Sequence, residues 1–221
     1  MNLARGLERR LEKLADGASA TVFRGKMHPI DMASRLVRQL EFLAQETIAG
    51  PEVPNDLVIH LNPADIDDLL DRSQLVQELT NVVTESAAER VWRLVGTVVI
   101  QITTEPSVPR GILEVEGANS ASSTPPWGQL IADDGSAILV ISLNRTLIGR
   151  ALDSDIRVAN QEVSRHHAIM YRQDGATMIQ DLGSANGTYL NGVRLTEGPA
   201  SINVGDTVML GDLAFTYRPI F

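Results

Sequence analysis

Apolar residues along the first half of the chain recur at helical spacing. Leu3, Leu7, Leu11 and Leu14 fall three to four residues apart, and Gly17 is a plausible stop. A second helix is expected from about Pro29, because proline is tolerated in the first turn. Ile30, Ala33, Val37, Leu40 and Ala44 would form its buried stripe, until Gly50-Pro51 breaks it. Asp56–Leu61 (D-L-V-I-H-L) reads as a strand, and Asn62-Pro63 as cap and first turn of helical material reaching about Arg90, with a break near Arg72-Ser73. Thr97–Thr103 and Gly111–Glu116 are strand-like and lie either side of two prolines, which predicts a hairpin. The order helix, helix, strand, helix, strand, strand implies an α+β domain over residues 1–116.

The texture then changes twice. Glu116–Trp127 (E-G-A-N-S-A-S-S-T-P-P-W) is small, polar and proline-rich, so residues 117–127 are expected to be a linker. From 128 to 221, short alternating segments recur between glycine turns: Ala137–Leu143, Arg145–Gly149, His167–Arg172, Thr177–Asp181, Thr188–Leu190, Thr207–Leu210 and Leu213–Tyr217. No window there keeps a helical period, so a β-sandwich is expected.

Composition narrows the chemistry. The chain has 221 residues, and its lack of cysteine excludes disulfides, thiol catalysis and Cys-ligated metals. No apolar run approaches the length of a spanning helix, and the first residues hold no signal-peptide core, so a cytoplasmic protein is expected. The net charge of −9 is unevenly spread: residues 1–38 carry eight Lys/Arg against four acids, and residues 39–120 carry four against fourteen. Only Lys13 and Lys26 are lysines, so beyond residue 38 any anion site must be built from arginine.

Three loop clusters carry candidate chemistry: L-I-G-R ending at Gly149-Arg150, V-S-R-H-H-A holding Ser164, Arg165 and His167, and D-L-G-S-A-N-G-T-Y-L-N-G holding Asn186 and Gly187. Arg150 offers a rigid guanidinium fork that matches phosphate oxygens. Ser164 can donate one hydroxyl hydrogen bond, and Asn186 offers both a donor and an acceptor to a peptide backbone. Arg165 could add charge or be a surface residue, while Ser164 and Asn186 also suit ordinary turns. Flanking glycines such as Gly149 and Gly187 would permit turns of positive φ. A metal site at His166 and His167 is not expected, since neighbours in a strand face opposite ways.

Three motifs in this order on an all-β background resemble a forkhead-associated (FHA) domain, over roughly Leu130 to Phe221. The resemblance implies phosphothreonine-peptide binding through Arg150, Ser164 and Asn186, with Arg165 assisting and with Gly149, His167 and Gly187 supporting the loops. Ala185 departs from it, standing where many members have threonine or serine. Upstream, G-L-E-R-R-L-E-K-L, V-F-R-G-K and P-I-D-M-A-S-R-L-V-R-Q-L-E resemble the amino-terminal domain of actinobacterial FhaA-type proteins. This second resemblance implies an adaptor under Ser/Thr protein kinases, linked to cell-envelope synthesis, whose partners are phosphothreonine-containing proteins, a kinase or its substrate. Neither resemblance implies a cofactor or metal.

Enzymatic readings find little footing. Ser164, His167 and Asp181 are the residue types of a hydrolase triad, but G-x-S-x-G is missing. Gly25-Lys26 lacks the upstream glycine of a phosphate-binding loop. The run Asp65 to Asp71 reads as a solvated acidic helix face, with Asp65, Asp67 and Asp68 near the positive end of the helix dipole. Two alternatives differ in class. Arg5, Arg9, Arg10 and Lys13 could make the first helix a nucleic-acid or anionic-membrane contact, although Glu8 and Glu12 are interleaved with them. Phosphorylated Thr124 could instead occupy the chain's own pocket. Because residues 117–127 have little to bury, limited proteolysis is expected to cut there first and leave two stable fragments. Early cuts elsewhere, read by mass spectrometry, would count against that division.

Overall fold

The computed structural model of the chain describes residues 26–66, 71–173 and 175–221. The expected first helix with its basic residues, Gly25, Asp67 and Asp68 lie outside them. The chain forms two compact units: one runs to Gln45 and takes in Glu52–Arg90 and Leu94–Ala121, the other comprises Glu46–Pro51, Val91–Arg93 and Ser122–Phe221.

In the first unit α1 (Pro29–Leu43) is capped by His28, whose side chain accepts from the Ile30 N–H. It buries Pro29, Met32, Ala33, Leu36 and Leu40, a stripe turned from the expected one, and it stops before Ala44. Ala44 has extended backbone (φ −61°, ψ 133°), and the next residues form a two-stranded ribbon of β1 (Gln45–Thr47) and β2 (Gly50–Glu52). Gly50, at φ 106°, makes the return possible.

β3 (Asp56–Leu61) alternates, burying Leu57, Ile59 and Leu61 completely. After a 3-10 turn over Pro63–Asp65, α2 (Arg72–Glu89) begins at Asp71, whose Oδ1 accepts from Ser73 and Gln74 N–H at 2.9 and 3.2 Å. β4 (Val99–Thr104) pairs parallel with β3, and β5 (Leu113–Ala118) pairs antiparallel with β3 on its other side. The expected hairpin is therefore not formed. The helical crossover α2 lets β4 pair parallel, leaving β3 central with β5 on its other edge, while α1 packs along β5 and α2 along β4. β5 runs past Glu116 to Ala118. Asn55, itself buried, then holds Ser120 through two hydrogen bonds of 2.9 Å.

Asp65 corrects the reading of a solvated acidic face. It is 3% exposed, and its carboxylate accepts the Gly111 N–H at 2.5 Å. It lies in the 3-10 turn Pro63–Asp65 and turns inward to tie down the loop before β5.

The second unit is a sandwich of two sheets. One has five strands in the order β14 (Ala200–Ile202), β11 (Ala176–Asp181), β10 (Ala168–Gln173), β8 (Arg145–Gly149) and β9 (Ile156–Arg157). The other has six: β13 (Val193–Arg194), β12 (Thr188–Leu190), β15 (Thr207–Leu210), β16 (Leu213–Pro219), β6 (Gly128–Ala132) and β7 (Ile138–Ile141). Leu130, Ile141, Ile148, Met170, Ile179, Val208 and Phe215 meet between them. Burial at about 25 cal/mol per Å² of apolar surface makes this layer the main stabilising term.

The outward residues of β8 and β10 are also covered. Leu147, Ile169 and Tyr171 pack with Ala49 and Val91. Arg145 lies 4.4 Å above the Tyr171 ring, and its Nε donates to the Ala49 carbonyl at 2.6 Å. Arg93 makes two 2.7 Å bonds to the Asp155 carboxylate, which also accepts the Leu147 N–H at 2.7 Å. Only 10% and 16% of these two side chains is exposed, so Asp155→Ala takes the counter-charge from a desolvated cation and should cost about 3 kcal/mol. Asp153→Ala, at a carboxylate 71% exposed, should leave the midpoint nearly unchanged, because solvent screens its pairing with His166. Urea denaturation of both variants measures the contrast, and equal midpoints would refute it.

Candidate functional site

Strand register brings the three motif loops to one edge. In the five-stranded sheet Ala168 stands opposite both Ile148 and Asp181. The end of β8, the start of β10 and the end of β11 are therefore level, and Arg150, Ser164 and Ser184 to Asn186 leave the sheet at the same side. Backbone bonds fasten the first two loops: Arg150 N–H to Ser164 C=O at 2.9 Å and Ala151 N–H to Arg165 C=O at 3.0 Å.

Gly149 supplies the room for that approach. A Cβ there would stand 2.1 Å from the Arg165 carbonyl oxygen and 2.9 Å from Ser154 Oγ. Its backbone is not among the positive-φ glycines, so the expectation of a special turn at Gly149 is corrected: close packing, not conformation, requires glycine. Gly187 does have φ 85°, and the Arg194 guanidinium also lies against it.

His167 joins the second loop to the third. It is fully buried; its Nδ1 accepts the Ser164 N–H at 3.0 Å, and its Nε2 pairs with the Gly187 carbonyl at 3.2 Å. An N–H donor on one side and a carbonyl on the other require the neutral ring with its proton on Nε2. Burial lowers its pKa, outweighing the Gly187 bond and the Asp181 charge. Asp181 organises the third loop. Burial raises its carboxyl pKa, but hydrogen bonds from the Ser184 and Thr188 hydroxyls and from the Ser184 and Gly183 N–H groups prevail and hold it below the usual range.

Ser164 Oγ accepts the Ala185 N–H at 2.9 Å, which leaves its own hydrogen to donate. The Ala185 N–H is thereby engaged and is not offered to a ligand. Arg150 is exposed; its Nε donates to the Val163 carbonyl at 3.1 Å, while its two terminal nitrogens have no protein acceptor among the described residues. Arg165 is exposed, and its charge acts on Asp153, whose carboxyl is held low first by a hydrogen bond from His166. Asn186 is exposed, with Nδ2 donating to the Glu162 carbonyl at 3.0 Å and to Glu162 Oε2 at 2.7 Å.

The triad geometry is not formed. His167 meets the amide of Ser164 rather than its hydroxyl, and Asp181 binds Ser184 and Thr188. Glu162, Ser154 and Asp155 also shape the site and belong to none of the three motifs. Glu162 stood two residues before Ser164 and could have been noticed; Ser154 and Asp155 act only through distant partners. Thr124 Oγ is buried without a hydrogen-bond partner, so a kinase would reach it only after its segment detached. Among the described residues no helix is long and apolar enough to cross a membrane, and no three metal-ligating side chains converge.

A β-sandwich whose recognition loops gather at one edge around a buried histidine defines an FHA-type binding module. The FHA domain family matches residues 146–211, and the family described as FhaA, N-terminal domain matches residues 5–116. The chain belongs to the FhaA family and carries an FHA domain. It is 34% identical over 105 residues to the oxoglutarate dehydrogenase inhibitor of Corynebacterium diphtheriae, a stretch covering 45% of this chain and 72% of that protein. It is 32% identical over 93 residues to the FHA domain-containing protein FhaB of Mycobacterium tuberculosis, covering 41% of this chain and 59% of FhaB. A solved structure of Mycobacterium tuberculosis EmbR in complex with a low-affinity phosphopeptide shares 29% identity at a TM-score of 0.39, over 42% of this chain and 24% of that one.

Protonation of His167 must break its bond from Ser164, so the site should loosen in acid. Because the folded pKa is depressed, the unfolded chain takes the proton first. The stabilisation is complete above about pH 6.5 and is lost as pH falls below it. The thermal midpoint should therefore drop between about pH 7 and 5. His167→Gln, which keeps a donor and an acceptor but does not titrate there, should lack this component. A wild-type midpoint flat across that range would refute the assignment.

Proposed function

We propose that the chain is a non-catalytic adaptor whose FHA domain captures phosphothreonine-containing proteins through Arg150, Ser164 and Asn186. The observation that carries this reading is the exposed Arg150 fork beside a Ser164 hydroxyl whose oxygen is already occupied by the Ala185 N–H, so that both present donors. A phosphothreonine brings about −1.5 to −2 charge and three acceptor oxygens, which a guanidinium and a hydroxyl complement. Arg165 adds positive charge at the rim, and Asn186 holds the peptide backbone through its carbonyl oxygen and, once Glu162 yields, its amide. Gly149, His167 and Gly187 keep the loops in register.

The adaptor works in the cytoplasm in Ser/Thr protein kinase signalling, with a phosphorylated kinase or substrate as partner. The FhaA match is what suggests this setting, and a link to cell-envelope synthesis is part of the same proposal. No cofactor takes part. The FhaA-type unit supplies the second contact that an adaptor needs.

Hydrogen bonds to charged groups contribute about 1.5–3 kcal/mol each. Arg150→Ala should therefore weaken phosphopeptide binding by about ten- to a hundredfold or more. Arg150→Lys should restore little, since a point charge cannot make two parallel bonds. Ser164→Ala should weaken binding less, and a glutamate in place of the phosphothreonine should not bind. Calorimetry with one phosphopeptide across the variants measures this. A folded Arg150→Ala chain that binds as tightly as wild type would overturn the site.

A further inference from the structure

The Asn186 amide is occupied by a carboxylate. Its single nitrogen donates one hydrogen to the Glu162 main-chain carbonyl at 3.0 Å and the other to Glu162 Oε2 at 2.7 Å. Both hydrogens of the side chain proposed to grip a peptide are thus on one residue, and that residue is charged.

Glu162 is held in place by the fold. Its N–H donates to Asn160 Oδ1 at 2.7 Å, forming a side-chain-closed turn. Gly211, at φ 64°, lies so close that a Cβ there would be 2.7 Å from the Glu162 carbonyl oxygen and 3.2 Å from its Cβ. Gly211 is fastened in turn by its N–H to the Gly187 carbonyl at 3.0 Å, next to Asn186. The glutamate backbone is therefore clamped from the Asn160, Gly211 and Asn186 sides, while its exposed side chain can swing. On a backbone fixed this way the carboxylate stays near the recognition edge, and when it releases the Asn186 amide it is open to water or to another donor.

We infer that Glu162 is a specificity-determining residue: it holds Asn186 in the unbound state and selects phosphothreonine peptides that carry a lysine or arginine beside the phosphate-binding centre, disfavouring those with an acid there. The inference rests on the phosphothreonine reading above. A ligand that engages the Asn186 amide must release the carboxylate, and a basic side chain on the same ligand compensates for that release by pairing with it. An acidic side chain meets the same charge and leaves it without a partner. With Arg150 and Arg165 assigned to the phosphate in that reading, the peptide is anchored by one sign of charge and sorted by the other. The discrimination is electrostatic at an exposed site, so it should be modest and should shrink with added salt.

The test uses the full chain and a phosphothreonine peptide series in which each flanking position in turn is Lys, Ala or Glu. Fluorescence anisotropy is recorded for wild type, Glu162→Gln and Glu162→Lys, with circular dichroism to confirm folding. Wild type should prefer the Lys peptide over the Glu peptide by about two- to fivefold at one flanking position. Glu162→Gln, which can still accept from Asn186, should flatten that preference, and Glu162→Lys should reverse it. An identical flank profile in all three proteins, with phosphate-dependent binding intact, overturns the inference and leaves the adaptor reading standing. Wild type that fails to separate phosphorylated from unphosphorylated peptide overturns the adaptor reading itself.

Discussion

One buried imidazole holds the recognition edge together. His167 takes the Ser164 N–H on one nitrogen and reaches the Gly187 carbonyl with the other, so two loops separated in sequence become one surface. A neutral ring satisfies both at once, whereas a protonated ring would face the Ser164 N–H with a second donor. The rest follows from that tie. Ser164 Oγ is carried to the Ala185 N–H, Asn186 is carried to Glu162, and Gly187 passes the chain into β12 of the second sheet. Asp181 reinforces the same loop from within through Ser184 and Thr188.

The first loop depends on a different constraint, which is space. Gly149 lets the Arg165 carbonyl approach to a distance that any Cβ would occupy, and Ser154 Oγ fills the remaining acceptor direction at 3.1 Å. The far end of that loop is anchored by Asp155, held by Arg93 and by the Leu147 N–H. Arg150 thus projects from a short segment fixed at both ends. A guanidinium fork is effective only when its backbone does not move, because bidentate pairing is a matter of direction as well as charge. Arg93 and Ala49 come from before the β-sandwich in sequence yet cluster with it, and β8 is buried on both faces as a result.

In the FhaA-type unit the organising constraint is the central place of β3. Its alternation puts Leu57, Ile59 and Leu61 on the helix side, and a parallel partner on one edge with an antiparallel partner on the other leaves no way for β4 and β5 to pair with each other. Asp65 and Asn55 show how polar residues support that arrangement. Each is buried, and each is bonded to a loop that would otherwise be loose at the sheet edge.

Much of this was legible in the chain itself, because the signals are local. Period-2 alternation marks Asp56–Leu61 with both boundaries, and turn glycines set off Arg145–Gly149, Thr188–Leu190 and Thr207–Leu210. The three motifs identify the family and make Arg150, Ser164 and Asn186 the candidate site, since residue type and spacing are properties of sequence. Pairing partners are not. The order β4, β3, β5, the inward turn of Asp65, the steric need for Gly149 and the clasp of Asn186 by Glu162 each depend on a residue distant along the chain. Sequence determined where several of the strands and both described helices would lie, and which side chains are candidates to meet a phosphate. Tertiary structure alone decided which carbonyl, carboxylate or amide each would face, because hydrogen bonding and close packing are set by distance in space.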